Sequence, residues 1–308
     1  MSRRLNDVTT LCISLFVALS LTGCCGTQRK LPDFVMPAVT LEEQVAAVNG
    51  LAHAVPKLAA RGSVYISWKD DKGKHSESAD ASLRILQRYG PDALANHGPD
   101  IVLFGRVAGQ EVFQVGKNPQ KYWFLVRLDN KTAWVGDTAH ATSVIDPRDP
   151  STQRTPLRAD VLTDLLGITE IAPTDVAVQR YNDDPYSPQV ELLLLAKTPS
   201  GQQYIQRSIA IDRTTGHVAK ITIFTIDGQP AITSILSDYR DAPYRDGNVY
   251  HAESVPPQLP YKAVITYTAQ KASVELHFDD VSIPTKFPAI LFDTPDFPAE
   301  GLKVVPAD

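Results

Sequence analysis

Six runs between Val190 and Pro284 set the architecture: VELLLLAK at 190–197, QYIQRSIAI at 203–211, HVAKITIFTI at 217–226, AITSILSDY at 231–239, YKAVITYT at 261–268 and SVELHFDD at 273–280. They carry β-branched and aromatic residues at alternating positions, the pattern of strands with one buried face. The punctuation between them is specific. Asp212-Arg213-Thr214-Thr215-Gly216 makes one turn, with Gly216 free to take positive φ, and Asp227-Gly228 makes a tighter one. Sequential strands with such short connections pair as antiparallel neighbours, so this half of the chain is a meander.

The first half repeats the pattern. Val64, Ile66 and Trp68 share one strand face, Asp70-Asp71-Lys72-Gly73-Lys74 is a polar turn, and Leu83 and Ile85 belong to the returning strand. After a loop at 89–100 come Ile101–Val107, Gln110–Val115, Tyr122–Leu128 and Thr132–Val135, separated by short turn signals. Ile101 and Leu103 are apolar on one face, and Val102 and Phe104 on the other, so these strands are expected to be covered on both sides.

Two amphipathic helices interrupt the strands. Thr40 and Glu43 form a capping box, after which Leu41, Val45, Val48, Ala52 and Val55 recur at helical spacing. Gly50 and Pro56 weaken the second half, so this helix should kink or end near Ala54. The same spacing serves a helix packed on a sheet and a movable lid over a cavity. Leu157, Val161, Leu162 and Leu165 mark a second, shorter helix in the connection between Asp137 and Pro188. That connection is long enough to separate two domains, but the strand patterns on either side are alike, which favours one domain over 40–308. The proline-rich tail from Pro284 to Asp308 is expected to run extended along the surface.

A chain of 308 residues with 43% hydrophobic and 21% charged residues has ordinary globular composition. Its net charge of −5 supplies no basic footprint for nucleic acid. Residues 1–23 read as a signal peptide: Arg3 and Arg4 form the charged region, and Leu11 to Leu21 form an apolar region too short to span a bilayer as a mature helix. An ordinary secretory signal or an uncleaved anchor would share both features. The tetrapeptide Leu21-Thr22-Gly23-Cys24 resembles the lipobox of bacterial lipoproteins, which implies cleavage before Cys24 and lipidation of its thiol. Residues 24–39 are then the lipidated cysteine and a polar tether. Of the three cysteines, Cys12 is removed and Cys24 modified, leaving Cys25 with no partner for an internal disulfide. The resemblance also implies that the lack of Asp at position 25 favours the outer membrane.

The search for chemistry is nearly empty. There is no G-x-S-x-G, G-x-x-x-x-G-K, H-E-x-x-H or C-x-x-C motif, and no cofactor is implied. The seven histidines are scattered, and His251-Ala252-Glu253 is the nearest approach to a metal-binding pair, so no metal site is expected. His277 shares a strand face with Glu275 and Asp279, opposite Val274, Leu276 and Phe278, and that polar face should meet solvent. The acidic pairs Asp70-Asp71, Asp183-Asp184 and Asp279-Asp280 are adjacent in sequence and point apart, which does not suit paired-carboxylate catalysis. No catalytic residue is therefore assigned. The aromatic residues of the strands either pack a core or line an apolar cavity inside a curling sheet.

One resemblance covers most of the mature chain. Asp212-Arg213-Thr214-Thr215-Gly216, Ile226-Asp227-Gly228, Asp238-Tyr239-Arg240, Leu259-Pro260-Tyr261 and Val274 to Ile283 resemble the C-terminal half of the LolA/LolB-like lipoprotein carriers. Arg61-Gly62-Ser63, Phe104-Gly105-Arg106, Phe113-Gln114-Val115-Gly116-Lys117-Asn118 and Tyr122-Trp123 resemble the first half of their anchored members. The resemblance implies a mainly β fold with α (α+β): an incomplete, curved antiparallel barrel of about ten strands. An N-terminal and a mid-chain helix would cover its open mouth. The candidate lining of the enclosed cavity is Val64, Ile66, Trp68, Trp123, Tyr261, Ala263, Ile265, Tyr267, Val274, Leu276 and Phe278. Leu41, Val45, Val48, Ala52 and Val55 are the candidate lid. The function implied is non-catalytic binding of acyl chains, lipid or lipoprotein by an outer-membrane-anchored protein facing the periplasm, with the membrane as partner through Cys24. The alternative is a protein-binding or stress-sensing module with a packed interior.

Overall fold

Two 14-residue strands, β1 (Lys57–Asp70) and β2 (Gly73–Leu86), pair along their whole length around a turn at Asp71 and Lys72. They belong to a computed structural model that describes residues 39–88, 98–127, 131–138, 159–182, 187–198, 200–246, 249–250 and 255–307. The signal peptide, Cys24, Cys25 and the tether to residue 38 lie outside the described residues. So do Leu157, the Asp183-Asp184 pair and the His251-Ala252-Glu253 triplet.

The first helix, α1 (Leu41–Ala54), starts as its sequence dictates. The Thr40 hydroxyl accepts the Glu43 amide at 3.2 Å, and Glu43 Oε2 accepts the Thr40 amide at 2.8 Å, so two otherwise unpaired donors are satisfied. These bonds hold the Glu43 carboxyl below the usual carboxylate range. The helix runs through Gly50 and stops at Ala54, ahead of Pro56.

After the hairpin the chain forms β3 (Asp100–Val107), β4 (Gln110–Lys117), β5 (Lys121–Val126) and β6 (Thr132–Asp137). Helix α2 (Ala159–Leu165) and a short 3-10 turn at Pro173–Asp175 precede β7 (Val176–Asn182), β8 (Gln189–Lys197), β9 (Gln203–Asp212), β10 (Val218–Phe224) and β11 (Pro230–Asp241). Then come the short β12 (Tyr244–Asp246) and β13 (Val249–Tyr250), β14 (Gln258–Tyr267), β15 (Ala272–Pro284) and, at the end, β16 (Lys303–Pro306). The six runs from Val190 to Pro284 are thus all strands. Gly216 takes φ +76°, as its turn requires.

The described strands make one open sheet in the order β16-β6-β5-β4-β3-β2-β1-β15-β14-β11-β10-β9-β8-β7, with β12 and β13 beside β15. Pairing is antiparallel except for β12 with β15 and β16 with β6. The sheet holds sixteen strands among the described residues, more than the ten expected from sequence. Twelve of them match the strand runs read from the sequence, and the other four are β7, β12, β13 and β16, which are short, edge-lying or poor in alternating apolar residues.

The order explains the long mid-chain connection. β1 joins the two meanders at the centre, so β6 and β7 fall near opposite ends of the sheet. The described part of the connection between them packs on the sheet through α2 and the following Leu166, Ile168 and Ile171. The seam at β1 and β15 depends on Gly62. The register shifts between Arg61 and Gly62, and a Cβ at Gly62 would stand 1.8 Å from the His277 carbonyl oxygen.

The principal core lies on one face, here called inner, and takes in α1, α2 and residues of β1 to β5, β8 to β11, β14 and β15. The opposite face of β5 and β6 carries a smaller cluster of Trp123, Leu125, Ala133, Phe297 and Leu302. This is the two-sided burial expected for the first meander. It also corrects the reading of the tail. The tail folds over the sheet, buries Phe292, Phe297 and Leu302, and adds β16 as a parallel edge strand. Asn118 donates to the Phe292 carbonyl and to Thr294 Oγ1, both at 3.0 Å. Arg127 bridges Glu111 at 3.0 Å and Glu300 of the tail.

Candidate apolar binding interior

Pairing register brings the proposed lining residues into cross-strand rows. Val64, Leu276 and Ala263 form one row across β1, β15 and β14, and Ile66, Val274 and Ile265 form the next. Tyr267 lies opposite Ala272, and Phe278 lies opposite Gly62, where the missing side chain lets the β15 backbone approach closely. Tyr261, Ala263, Ile265, Tyr267, Val274, Leu276, Phe278 and Val64 are all buried in the principal core. Ile66 and Trp68 pack against it half-buried, with Trp68 stacked on His75 at 5.3 Å.

Trp123 is placed elsewhere. It belongs to the opposite face, beneath the tail, with its ring against the backbone of Gly116, where a Cβ would come within 2.2 Å of Cζ2. Its neighbours Tyr122 and Phe124 are the inward members of β5. The strand is apolar on both faces, so alternation could not distinguish them.

The helical residues come to the same core. Val45, Val48 and Val55 are buried against the inner face, Ala52 is fully buried, and Leu41 packs at the core margin. Val161, Leu162 and Leu165 of α2 join them. Between the α2 side and the sheet lies a cavity of about 10 Å³, lined by Leu58, Ala60, Leu83, Ile168, Leu259 and Phe278 among others. That volume matches a single water-sized sphere, and the lining is apolar. Around it the two helices and the inner sheet face bury one apolar cluster.

Polar contacts between distant segments add to this apolar packing. Asn49 Nδ2 donates to the Ile171 carbonyl at 2.8 Å, and its Oδ1 accepts the Ile171 amide at 2.9 Å. His53 and Glu170 form an adjacent contact. The Val39 carbonyl accepts Tyr181 Oη at 2.5 Å and Gln179 Nε2 at 3.0 Å, tying the start of α1 to β7. On the α2 side, Gln87 Nε2 donates to the Ile168 carbonyl at 2.6 Å, and Arg207 Nη1 meets Asp164 Oδ1 at 2.8 Å. Sequence reading missed Arg207 as an inward residue because its type signals a solvated face.

The outer face is polar where the sequence indicated. Glu275 Oε1 lies 2.6 Å from both Lys262 Nζ and His277 Nε2. Hydrogen bonds from Lys262, then His277, hold the Glu275 carboxyl below its usual range. Exposed Tyr65, with Ser67, Ser76, Ser78 and Ser273, borders an open depression of about 320 Å³ there. Among the described residues no group of three His, Cys, Asp or Glu could hold a metal ion. Among them, too, no helix is long and apolar enough to cross a membrane.

No family model matches the sequence, and no curated protein matches it. Solved structures do. An outer membrane lipoprotein-sorting protein domain from Vibrio parahaemolyticus superposes with a TM-score of 0.50 at 9% identity, covering 82% of this chain and 97% of that one. A LolA superfamily protein from Nitrosomonas europaea gives a TM-score of 0.45 at 11% identity, covering 84% of this chain and all of its own. A DUF1329 family protein from Desulfovibrio piger gives 0.47 at 8% identity, covering 83% and 98%. Sequence identity this low speaks for the fold alone. The large open sheet with short helices packed on its inner face is the fold shared with the Vibrio lipoprotein-sorting domain.

Proposed function

We propose that this chain is a lipid-anchored envelope protein that takes up acyl chains, of a lipid or a lipoprotein, between its inner sheet face and its two helices. The observation that carries this reading is the extensive apolar core between the inner sheet face and the two helices, fastened by side-chain contacts such as Asn49 with Ile171 and Arg207 with Asp164. The fold adds support, since the Vibrio domain that shares it is described as lipoprotein-sorting. In this reading the sheet is an incomplete barrel, Val64, Ile66, Trp68 and the β14–β15 residues are its lining, and α1 is a lid. At the α2 side the free space is about 10 Å³, so in this reading an acyl chain enters there when the covering segment moves outward. No catalysis is involved.

Anchoring is proposed from Leu21-Thr22-Gly23-Cys24, with Cys24 lipidated, residues 24–39 as tether and 40–308 as one domain, probing the periplasm from the outer membrane. Cys24→Ala should abolish acylation, seen as loss of the lipid mass and of signal-peptide cleavage. Normal processing of the variant would refute the anchor. The uptake reading is tested by native mass spectrometry of the chain purified in mild detergent. Co-purifying acyl lipids, lost on delipidation and restored on addition, are expected; an interior that takes up neither lipid nor an apolar dye would sink it.

The second reading is a protein-binding module whose interior is plain core. The small cavity favours it. Cross-linking in cells that recovers one stoichiometric protein partner, without bound lipid, would select it over the first.

A further inference from the structure

Arg207 is a cation set into an apolar wall. Register places it between Leu194 of β8 and Ile223 of β10, both buried members of the principal core. Its side chain is 13% exposed, and its counter-charge is Asp164, at 2.8 Å and 28% exposed. That carboxylate rides on the seven-residue covering helix α2, whereas Arg207 belongs to the sheet. Any outward movement of α2 that opens the interior therefore also removes the counter-ion. A guanidinium left facing an apolar space carries a large desolvation penalty unless another anion replaces the lost one.

A second polar group stands on the same face, opposite the β8 residue two positions beyond Leu194. The register of β8 and β9 shifts between Leu194 and Leu195, so that Tyr204, opposite Ala196, returns to the face of Arg207 while Ile205 points outward. Tyr204 is 7% exposed, and its hydroxyl has no hydrogen-bond partner among the described residues. Buried hydroxyls are nearly always bonded, so an unpartnered one on the sheet face of Arg207 marks a position where a ligand oxygen fits.

We propose that Arg207 and Tyr204 form the head-group end of the acyl-chain site, and that the ligand is an anionic amphiphile. Its carboxylate or phosphate takes the place of the Asp164 carboxylate on Arg207 and accepts the Tyr204 hydroxyl. Its chain lies along the inner face that α2 leaves. The exchange swaps one buried ion pair for another, so opening of α2 is coupled to ligand charge as well as to chain length. This rests on the reading of the interior as an acyl-chain site and adds a charge requirement to it.

The test is competition by native mass spectrometry on the full chain in nonionic detergent, offered equal concentrations of laurate, dodecyl phosphate and neutral monolaurin. Wild-type protein should hold one or both anionic amphiphiles about tenfold over monolaurin, the ratio expected of one charge-assisted contact. The laurate and phosphate arms tell a fatty acid from a phospholipid-type head. Arg207→Gln should remove the preference while monolaurin still binds. Asp164→Asn, which frees Arg207 without deleting it, should strengthen the preference, so the proposal does not depend on the folding of the Arg207 variant. Equal occupancy by anionic and neutral amphiphiles in the wild type, or a preference that survives Arg207→Gln, overturns the charge requirement alone. Failure of every amphiphile to bind overturns the acyl-chain reading beneath it.

Discussion

Single positions show how closely the sheet is fitted at its seam. Gly62 sits where β1 bulges against β15, with the His277 carbonyl occupying the space of any side chain. A backbone carbonyl cannot rotate away, so Gly62→Ala must displace one strand. The variant should lose about 3 kcal/mol of stability, measured by urea denaturation. A loss within experimental error would mean that the bulge relaxes freely. Position 123 teaches a different lesson. On β5 both faces are apolar, and the sequence contains nothing to say whether Trp123 or its neighbours Tyr122 and Phe124 turn inward. The C-terminal residues Phe297 and Leu302, which are distant in sequence, supply the second apolar surface that settles it. Val274, Leu276 and Phe278 were legible because His277 and Glu275 mark their opposite face as polar.

Among the elements, α1 was the most legible. Its capping box, its apolar stripe and its stop before Pro56 are all local chemistry. What it rests on was not legible, because Asn49 finds its partner 122 residues away at Ile171. Asn49→Ala removes two hydrogen bonds and strands the Ile171 amide and carbonyl, a local cost of ~1–3 kcal/mol. Amide exchange in Leu41–Ala54 should then speed up by about tenfold or more, with β1 and β2 unchanged. Unchanged exchange in α1 would show that apolar burial alone holds it. The tail was misread for a related reason. Its prolines disfavour a long helix and a central strand, but they permit the 3-10 turn at Ala289–Phe292 and an edge strand, and β16 at the rim beside β6 is where Pro306 is tolerated.

At the level of the whole molecule, one core runs from Val45 to Ala307 and draws on both meanders. Since β1 lies between β2 and β15, neither half has a complete hydrogen-bonded boundary of its own. Unfolding should therefore be a single transition, with tryptophan emission, which reports mainly the first half, coinciding with circular dichroism. Two separated transitions would divide the chain near the long connection and contradict the reading of 40–308 as one domain.

The amino-acid sequence by itself determined the strand-rich class, the meander from Val190 to Pro284, the turns that space it and the first helix, because each follows from periodicity or capping within a few residues. Tertiary structure alone decided that β1 pairs with β15, that the tail covers Trp123, and that Arg207 meets Asp164 inside rather than water outside. Those outcomes depend on which distant segments share a face. Local pattern carries no information about that where both faces of a strand are apolar or where a bulge shifts the alternation.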